Sequence, residues 1–352
     1  MHWNTPMGTP TLIMAPFKGL TTKAFRNAHA RHFGGFDVYM APFVSGLGHH
    51  QVRPARLSDL TPIEDNLCPT IPQIISTQAE EIILFGKSLK DHGYTHLNWN
   101  LGCPFPRIAN KKKGCGLLPY PDEMDRILFR VFSELPVDLS IKTRLGYAHA
   151  GEILEVLPVL NRYPIREIAI HPRIGTQVYK GEVNLEGFTA CLEATKHPLI
   201  YNGDIYNLGE YKRLRGLFPT IDQWMLGRGV LMNPFLATEI KGNHIPDHIK
   251  REKMRDFHQE LLAVTTNKPS DGKNRLGLIK NTWYYMAASF AHGQEVFAMI
   301  KTSQSIQAYE KMLPGILDRP FASADQTAWY FKNAIPHIGK IPPAGESPML
   351  LE

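Results

Sequence analysis

Short apolar runs of strand length recur through the first two thirds of the chain, at residues 11–16, 36–42, 70–76, 96–102, 138–144, 167–173, 198–204 and 223–229. Most are followed by a stretch with the apolar spacing of an amphipathic helix, as at 78–92, 121–134, 151–162, 184–196 and 207–218. Strand and helix alternating in this way build a parallel sheet, because each helix carries the chain back across the sheet face. Eight such units over this length predict an α/β fold with a closed sheet, a (β/α)8 TIM barrel. The second connection, 44–69, breaks the rhythm: it is irregular and rich in His, Pro and Gly, and reads as a long loop over the site.

Near residue 245 the character changes to longer amphipathic helices, over 249–265, 275–290, 295–299 with its continuation, and 303–312. That pattern is a small all-α region. The sequence therefore predicts a barrel domain over 1–244, a helical domain over 245–334 and an extended tail over 335–352 that carries Pro336, Pro342, Pro343 and Pro348.

Composition narrows the class. With 352 residues and 43% apolar content the chain can bury a normal core. Its net charge of +6 permits a polyanionic partner such as nucleic acid without requiring one. Cys68, Cys103, Cys115 and Cys191 follow neither a disulfide nor a metal-ligand spacing, so a reducing compartment and no metal are expected. The first residues lack a leader pattern, and no run approaches the roughly 18 apolar residues of a membrane span. A cytoplasmic protein with no membrane partner, acting as a monomer, is the expectation.

Polar and special residues gather where the predicted strands end: Pro16, Gln73, Asn100, Cys103, Lys142, Arg144, His171, Asn202, Asp204 and Arg228. In a barrel of this class the C-terminal rim of the strands carries the active site. Cys103 directly follows a strand, beside Gly102 and Pro104, a setting suited to delivering one proton at a fixed point. Taken alone it is also readable as a small buried apolar residue. Asn202-Gly203-Asp204 and Gly227-Arg228-Gly229 offer backbone amides and one bidentate cation for a phosphate, with a helix starting near Asn233-Pro234. Lys142 and Arg144 project to one face of their strand, where a cation beside the pyrimidine edge of a flavin would stabilise its anionic reduced form. In the helical region Lys268, Lys273, Arg275, Lys280 and Lys301 interleave with Trp283, Tyr284, Tyr285 and Tyr309, a mixture suited to phosphate contact and base stacking.

Together these residues resemble the tRNA-dihydrouridine synthases. The resemblance is carried by Asn100-Leu101-Gly102-Cys103-Pro104 with Gly116-Leu117-Leu118, by Met14-Ala15-Pro16 with Gly19 and Phe25-Arg26, and by Lys142-Thr143-Arg144-Leu145-Gly146. His171-Pro172-Arg173 with Tyr179 and the two glycine turns complete it, and the helical tail is most like the bacterial C-type branch. The resemblance implies FMN held by Ala15, Pro16, Gln73, Lys142, His171, Asn202, Gly203, Asp204, Gly227 and Arg228, with NADPH or NADH as reductant. It implies Cys103 as the acid, contacts from Asn100, Arg144 and Tyr179 to a uracil, and tRNA as partner, with a D-loop uridine reduced to 5,6-dihydrouridine. Departures from the family pattern are Phe17-Lys18 after the first strand, Ile71-Pro72 before Gln73, and the basic Lys111-Lys112-Lys113. Two other readings share parts of this pattern: an FMN barrel reducing a small metabolite, and an RNA-binding barrel without turnover.

Overall fold

The computed structural model describes residues 8–48, 51–264 and 272–334. It contains nine strands: β1 (Thr11–Met14), β2 (Val38–Met40), β3 (Thr70–Ile71), β4 (Gln73–Ile74), β5 (His96–Leu101), β6 (Asp138–Gly146), β7 (Ile168–Ile174), β8 (Leu199–Tyr201) and β9 (Gln223–Leu226). Their order is β3-β2-β1-β9-β8-β7-β6-β5-β4. The two ends of that order are halves of one predicted run, divided at Pro72. Proline has no N–H for the ladder, so 70–76 cannot pair as a single strand. Thr70 and Ile71 pair with Tyr39 and Met40, whereas Gln73 and Ile74 pair with Asn98 and Trp99. One interrupted strand thus bridges both edges, and the sheet closes as the TIM barrel that the strand–helix alternation predicts. The ninth strand is the product of that break.

Strands β2, β8 and β9 stop short of their predicted ends, since the chain turns out of the ladder before Pro42, Gly203 and Gly227. The predicted helices are present as Ala79–Asp91, Pro121–Phe132, Glu152–Leu160, Leu185–Ala194 and Leu208–Leu217. Two start on an asparagine cap: Asn184 accepts the Gly187 N–H and Asn207 the Glu210 N–H, which satisfies donors left over at a helix start. Among its described residues the irregular second connection holds a four-residue helix, Pro54–Leu57, and one 3-10 turn, Ile63–Asp65.

The chain divides into two compact units. One comprises Val38–Gly203 and Thr220–Met225. Its core is the outward apolar face of the strands, Leu97, Trp99, Leu101, Leu139 and Ile141, under the helices, and each of these side chains is buried. The other comprises Met1–Asp37, Asp204–Pro219 and Leu226–Glu352.

In this second unit the C-terminal helices are Asp247–Val264, Gly272–Met286, Gly293–Thr302, Ile306–Leu317 and Ala324–Asn333. Their core corrects one expectation. Trp283, Tyr285 and Tyr309 are wholly buried, so they offer no face to a base. His258 stacks on Trp283 at 4.9 Å, and the Trp283 Nε1–H donates to the Tyr309 hydroxyl at 2.8 Å. An aromatic next to lysines on a helix suits either face, and here burial of the rings wins because they supply most of the apolar area. The fifth helix, Ala324–Asn333, is absent from the sequence prediction, although Ser323 and Gln326 form a reciprocal capping box that signals it. Lys268 lies outside the described residues, as do the side chains of Lys273 and Arg275 and the predicted tail, 335–352.

Candidate active site

In the unit built on Val38–Gly203, strand register decides which rim residues meet. Asn100 on β5 lies beside Lys142 on β6, and Arg144 on β6 lies beside His171 on β7. Below them runs a buried polar ladder. Asn100 Nδ2 donates to Gln73 Oε1 at 2.8 Å, Gln73 Nε2 donates to Asn98 Oδ1 at 2.7 Å, and Asn98 Nδ2 donates to Ser140 Oγ at 2.8 Å. Every side chain in it is a satisfied partner of the next, which is what allows polar groups inside a barrel.

The top of this ladder holds Cys103. Asn100 Oδ1 accepts the N–H of Gly102 at 3.0 Å and of Cys103 at 2.9 Å. On the other side, the Cys115 N–H and the Cys115 thiol both approach the Cys103 carbonyl at 3.2 Å. Cys103 is therefore gripped at both ends of its own residue. Gly114 makes that approach possible: its φ is +59°, and a Cβ there would lie 2.6 Å from the Cys103 carbonyl oxygen. Cys115, which sequence reasoning assigned no role, thus braces the loop. Asn100 has spent its oxygen on the loop and one Nδ2 hydrogen on Gln73. Gln73 is wholly buried, with its amide hydrogens directed to Asn98 and to Met40 Sδ.

We expect Asn100→Ala to destabilise the protein by about 1–3 kcal/mol, because the buried Cys103 N–H, the half-buried Gly102 N–H and the Gln73 oxygen lose their partner. Urea denaturation of the variant measures this. An unchanged midpoint would show that the loop holds Cys103 without Asn100.

Burial pushes the Cys103 thiol up, against the opposing pull of the Phe105 N–H and of the Arg144, Arg107 and Lys142 charges. Burial likewise pushes Cys115 up to about 12. Both sulfurs are thiols at neutral pH, as a proton donor must be and a nucleophile must not.

Lys142 is the opposite case. Burial, with the nearby Arg144 charge, presses it down to about 7. Its ammonium makes no hydrogen bond or ion pair with any described residue. Arg144 donates through Nε to the Gly102 carbonyl at 2.9 Å and through Nη1 to the Ile174 carbonyl at 3.0 Å, so it ties the Cys103 loop to the end of β7. Tyr179 lies 5.4 Å from the Arg144 guanidinium and 6.1 Å from the His171 ring. It is delivered by a turn in which Val178 has φ +52°, a strained value for a β-branched residue. Arg173 Nη1 meets His171 Nε2 at 3.2 Å. A guanidinium only donates, so in this contact Nε2 is the acceptor. Asn202 donates to the Met225 carbonyl at 2.8 Å, and Gly203 follows it where Pro172 and Val183 leave little room for a side chain.

The second unit carries the rest. Ala15 N–H donates to the Leu226 carbonyl at 2.8 Å, which sets the Ala15-Pro16 turn beside Gly227. Phe17, a departure from the family pattern, packs its ring where a Cβ on Gly227 would fall 3.3 Å away. Asp204, with φ +46°, accepts from Arg228 Nη2 at 2.6 Å, both side chains being buried. A five-residue helix begins at Arg228 itself, before the position near Asn233 that the sequence suggests.

The chain matches known proteins over most of its length. Residues 13–312 fit the family description "Dihydrouridine synthase (Dus)". A relative from Neisseria meningitidis serogroup B, "tRNA-dihydrouridine(16) synthase", is 24% identical over 321 residues, covering 88% of this chain and 96% of the relative. "tRNA-dihydrouridine synthase B" of Pseudomonas putida is 28% identical over 262 residues, covering 72% of this chain and 76% of the relative. Among solved structures, a 2-naphthoyl-CoA reductase complex superposes with a TM-score of 0.53 at 12% identity, covering 90% of this chain and 69% of that one, a likeness of fold. With a strand-end cysteine held as a thiol beside a lysine that has no ion-pair partner among the described residues, and with 13–312 matched as a whole, the chain belongs to the dihydrouridine synthase family of flavin-dependent oxidoreductases.

Proposed function

We propose that this protein reduces a uridine of tRNA, in the D loop, to 5,6-dihydrouridine, with FMN as cofactor and NADPH or NADH as reductant. The observation that carries the reading is the Lys142 ammonium, half-buried on the strand next to the Cys103 loop with no hydrogen-bond or ion-pair partner among the described residues. A cation so placed is costly unless a ligand supplies acceptors, and the electron-rich edge of a flavin does so. The residues present fit the group within each unit taken by itself: in one, Lys142 has the charge a flavin ring needs; in the other, Arg228 with the turn at Gly227 suits a phosphate.

When bound, the flavin supplies the hydride for uracil carbon 6. Cys103 supplies the proton at carbon 5. Its thiol stays protonated because it is buried, and the backbone that carries it is held by Asn100 and Cys115. Arg144, charged and already anchored to the Gly102 carbonyl, stabilises negative charge developing on the uracil oxygens. Tyr179 closes over the base. Extruding a base from its stack costs a few kcal/mol, least where the RNA is unpaired, which favours a loop uridine. Position 16, for which the Neisseria meningitidis relative is named, is the first to test.

The helical region from 245 is the tRNA-recognition part of this proposal. Lys280 donates to the Lys301 carbonyl at 2.9 Å, which brings two cations together. Burial and the Lys301 charge both lower the Lys280 pKa. Such a pair suits a phosphate. The cytoplasm, where tRNA and reduced nicotinamide meet, and a monomeric state complete the reading.

The test is a visible spectrum of the purified protein, followed anaerobically by NADPH and then by undermodified tRNA. A flavin spectrum that bleaches with NADPH and recovers with tRNA is the expected result. Bleaching without recovery would mean a different electron acceptor.

A further inference from the structure

The helix Ala324–Asn333 does more than complete the helical core. Its Phe331, 5% exposed, meets two groups from the strand-end loops. Tyr206 stacks on it at 4.6 Å and 26°. The Arg228 guanidinium lies over the ring, 4.3 Å from its centroid. Tyr330, next in sequence, donates to the Tyr284 carbonyl at 3.4 Å, and the Tyr284 hydroxyl donates to the Ala334 carbonyl at 3.0 Å. The helix is thus held through Tyr284 and meets Arg228 with one ring.

Stacking on a ring consumes none of the five N–H donors of arginine, all of which lie in the guanidinium plane. It does fix that plane and strip water from one face, which strengthens whatever the arginine binds at its edge. The edge already holds Asp204 at 2.6 Å, so the plane is set by a carboxylate on one side and a ring above. Two further contacts join the C-terminal helices to the same loops. Tyr285 meets Phe17 edge-on at 6.2 Å, and the Ser289 hydroxyl donates to the Met232 carbonyl.

We propose that Phe331 is a positioning residue for cofactor binding: it orients Arg228 toward the FMN phosphate, so that flavin retention depends on the last helix of the C-terminal region. This rests on the flavin reading above. It follows that truncating the C-terminal helices removes flavin as well as RNA contact, and loss of activity on truncation does not by itself identify an RNA-dependent reaction.

The experiment is titration of the apoprotein with FMN, read by flavin fluorescence, for wild type and for Phe331→Leu, Phe331→Ala and Phe331→Trp. The leucine variant preserves apolar volume and removes the π face. We expect FMN binding weakened about 5- to 20-fold in Phe331→Leu and at least as much in Phe331→Ala, with Phe331→Trp within about twofold of wild type. In an Arg228→Ala background the Phe331→Leu change should produce no further loss, which a purely structural role for the ring would not predict. If Phe331→Leu binds FMN as tightly as wild type, or loses the same factor with and without Arg228, the proposal is overturned. If the wild-type apoprotein itself takes up no FMN, the flavin reading fails instead, and the two failures are distinguishable.

Discussion

Replacing Cys103 by alanine should lower dihydrouridine formation by about 10²- to 10⁴-fold, the usual contribution of a positioned general acid. Flavin content and the rate of flavin reduction by NADPH should not change, because Lys142 and Arg228 are untouched. The direction of the pH dependence follows from burial. Because the folded thiol titrates above its ordinary value, wild-type turnover should stay level through neutral pH and decline only as pH rises through that raised pKa. Single-turnover oxidation of the reduced enzyme by undermodified tRNA, followed from pH 6 to 10, measures both effects. Full activity in Cys103→Ala would remove the thiol from the chemistry. A decline already at pH 7 to 8 in wild type but not in the variant would mean the thiolate forms too easily for an acid.

The periodic features of this chain are those that a sequence states most openly. Alternation placed Lys142 and Arg144 on one face of a strand, and parallel pairing then set Asn100 beside Lys142 and His171 beside Arg144 with no need for further information. Pro72 was readable as a break, yet not as the point where the barrel joins its two edges, because closure depends on both neighbouring strands. The braces were less legible. Cys115 acts through a residue 12 positions earlier, and Phe331 through Arg228 more than a hundred positions away, contacts that no local pattern encodes. The glycine at 114 was the available clue for the first, and the capping box at Ser323 for the second. The aromatics at 283, 285 and 309 were misread as a stacking face because a helix with rings and lysines intermixed fits core and surface equally until its neighbours are known.

Lys142→Met should make the cofactor-free protein more stable at pH 7 and at the same time weaken FMN binding. The folded-state pKa of this lysine is about 7, against 10.5 for the ordinary side chain. Between those values the unfolded chain holds a proton that the folded chain has released, so this group makes wild-type stability rise with pH by about 1.4 kcal/mol per unit. Below pH 7 both states are charged, and the penalty of taking the half-buried ammonium partly out of water is present throughout. Methionine has a similar length and no charge, so the variant escapes the penalty, and its advantage over wild type should shrink as pH is raised from 7 toward 10. Denaturant unfolding of the two apoproteins at several pH values reads this difference directly; parallel curves would show that Lys142 is hydrated in the folded state. The same partial burial accounts for function. A ligand with acceptors near the ammonium removes the penalty and pulls the lysine pKa back up, so FMN binding to wild type should weaken as pH rises above 7, while binding to Lys142→Met should be flat over that range. At pH 7 the variant should bind about 10- to 100-fold more weakly, the usual value of a hydrogen bond to a charged group. The stability sacrificed at Lys142 in the empty protein is thus recovered only when an acceptor-bearing ligand arrives, which selects for such a ligand at this strand end.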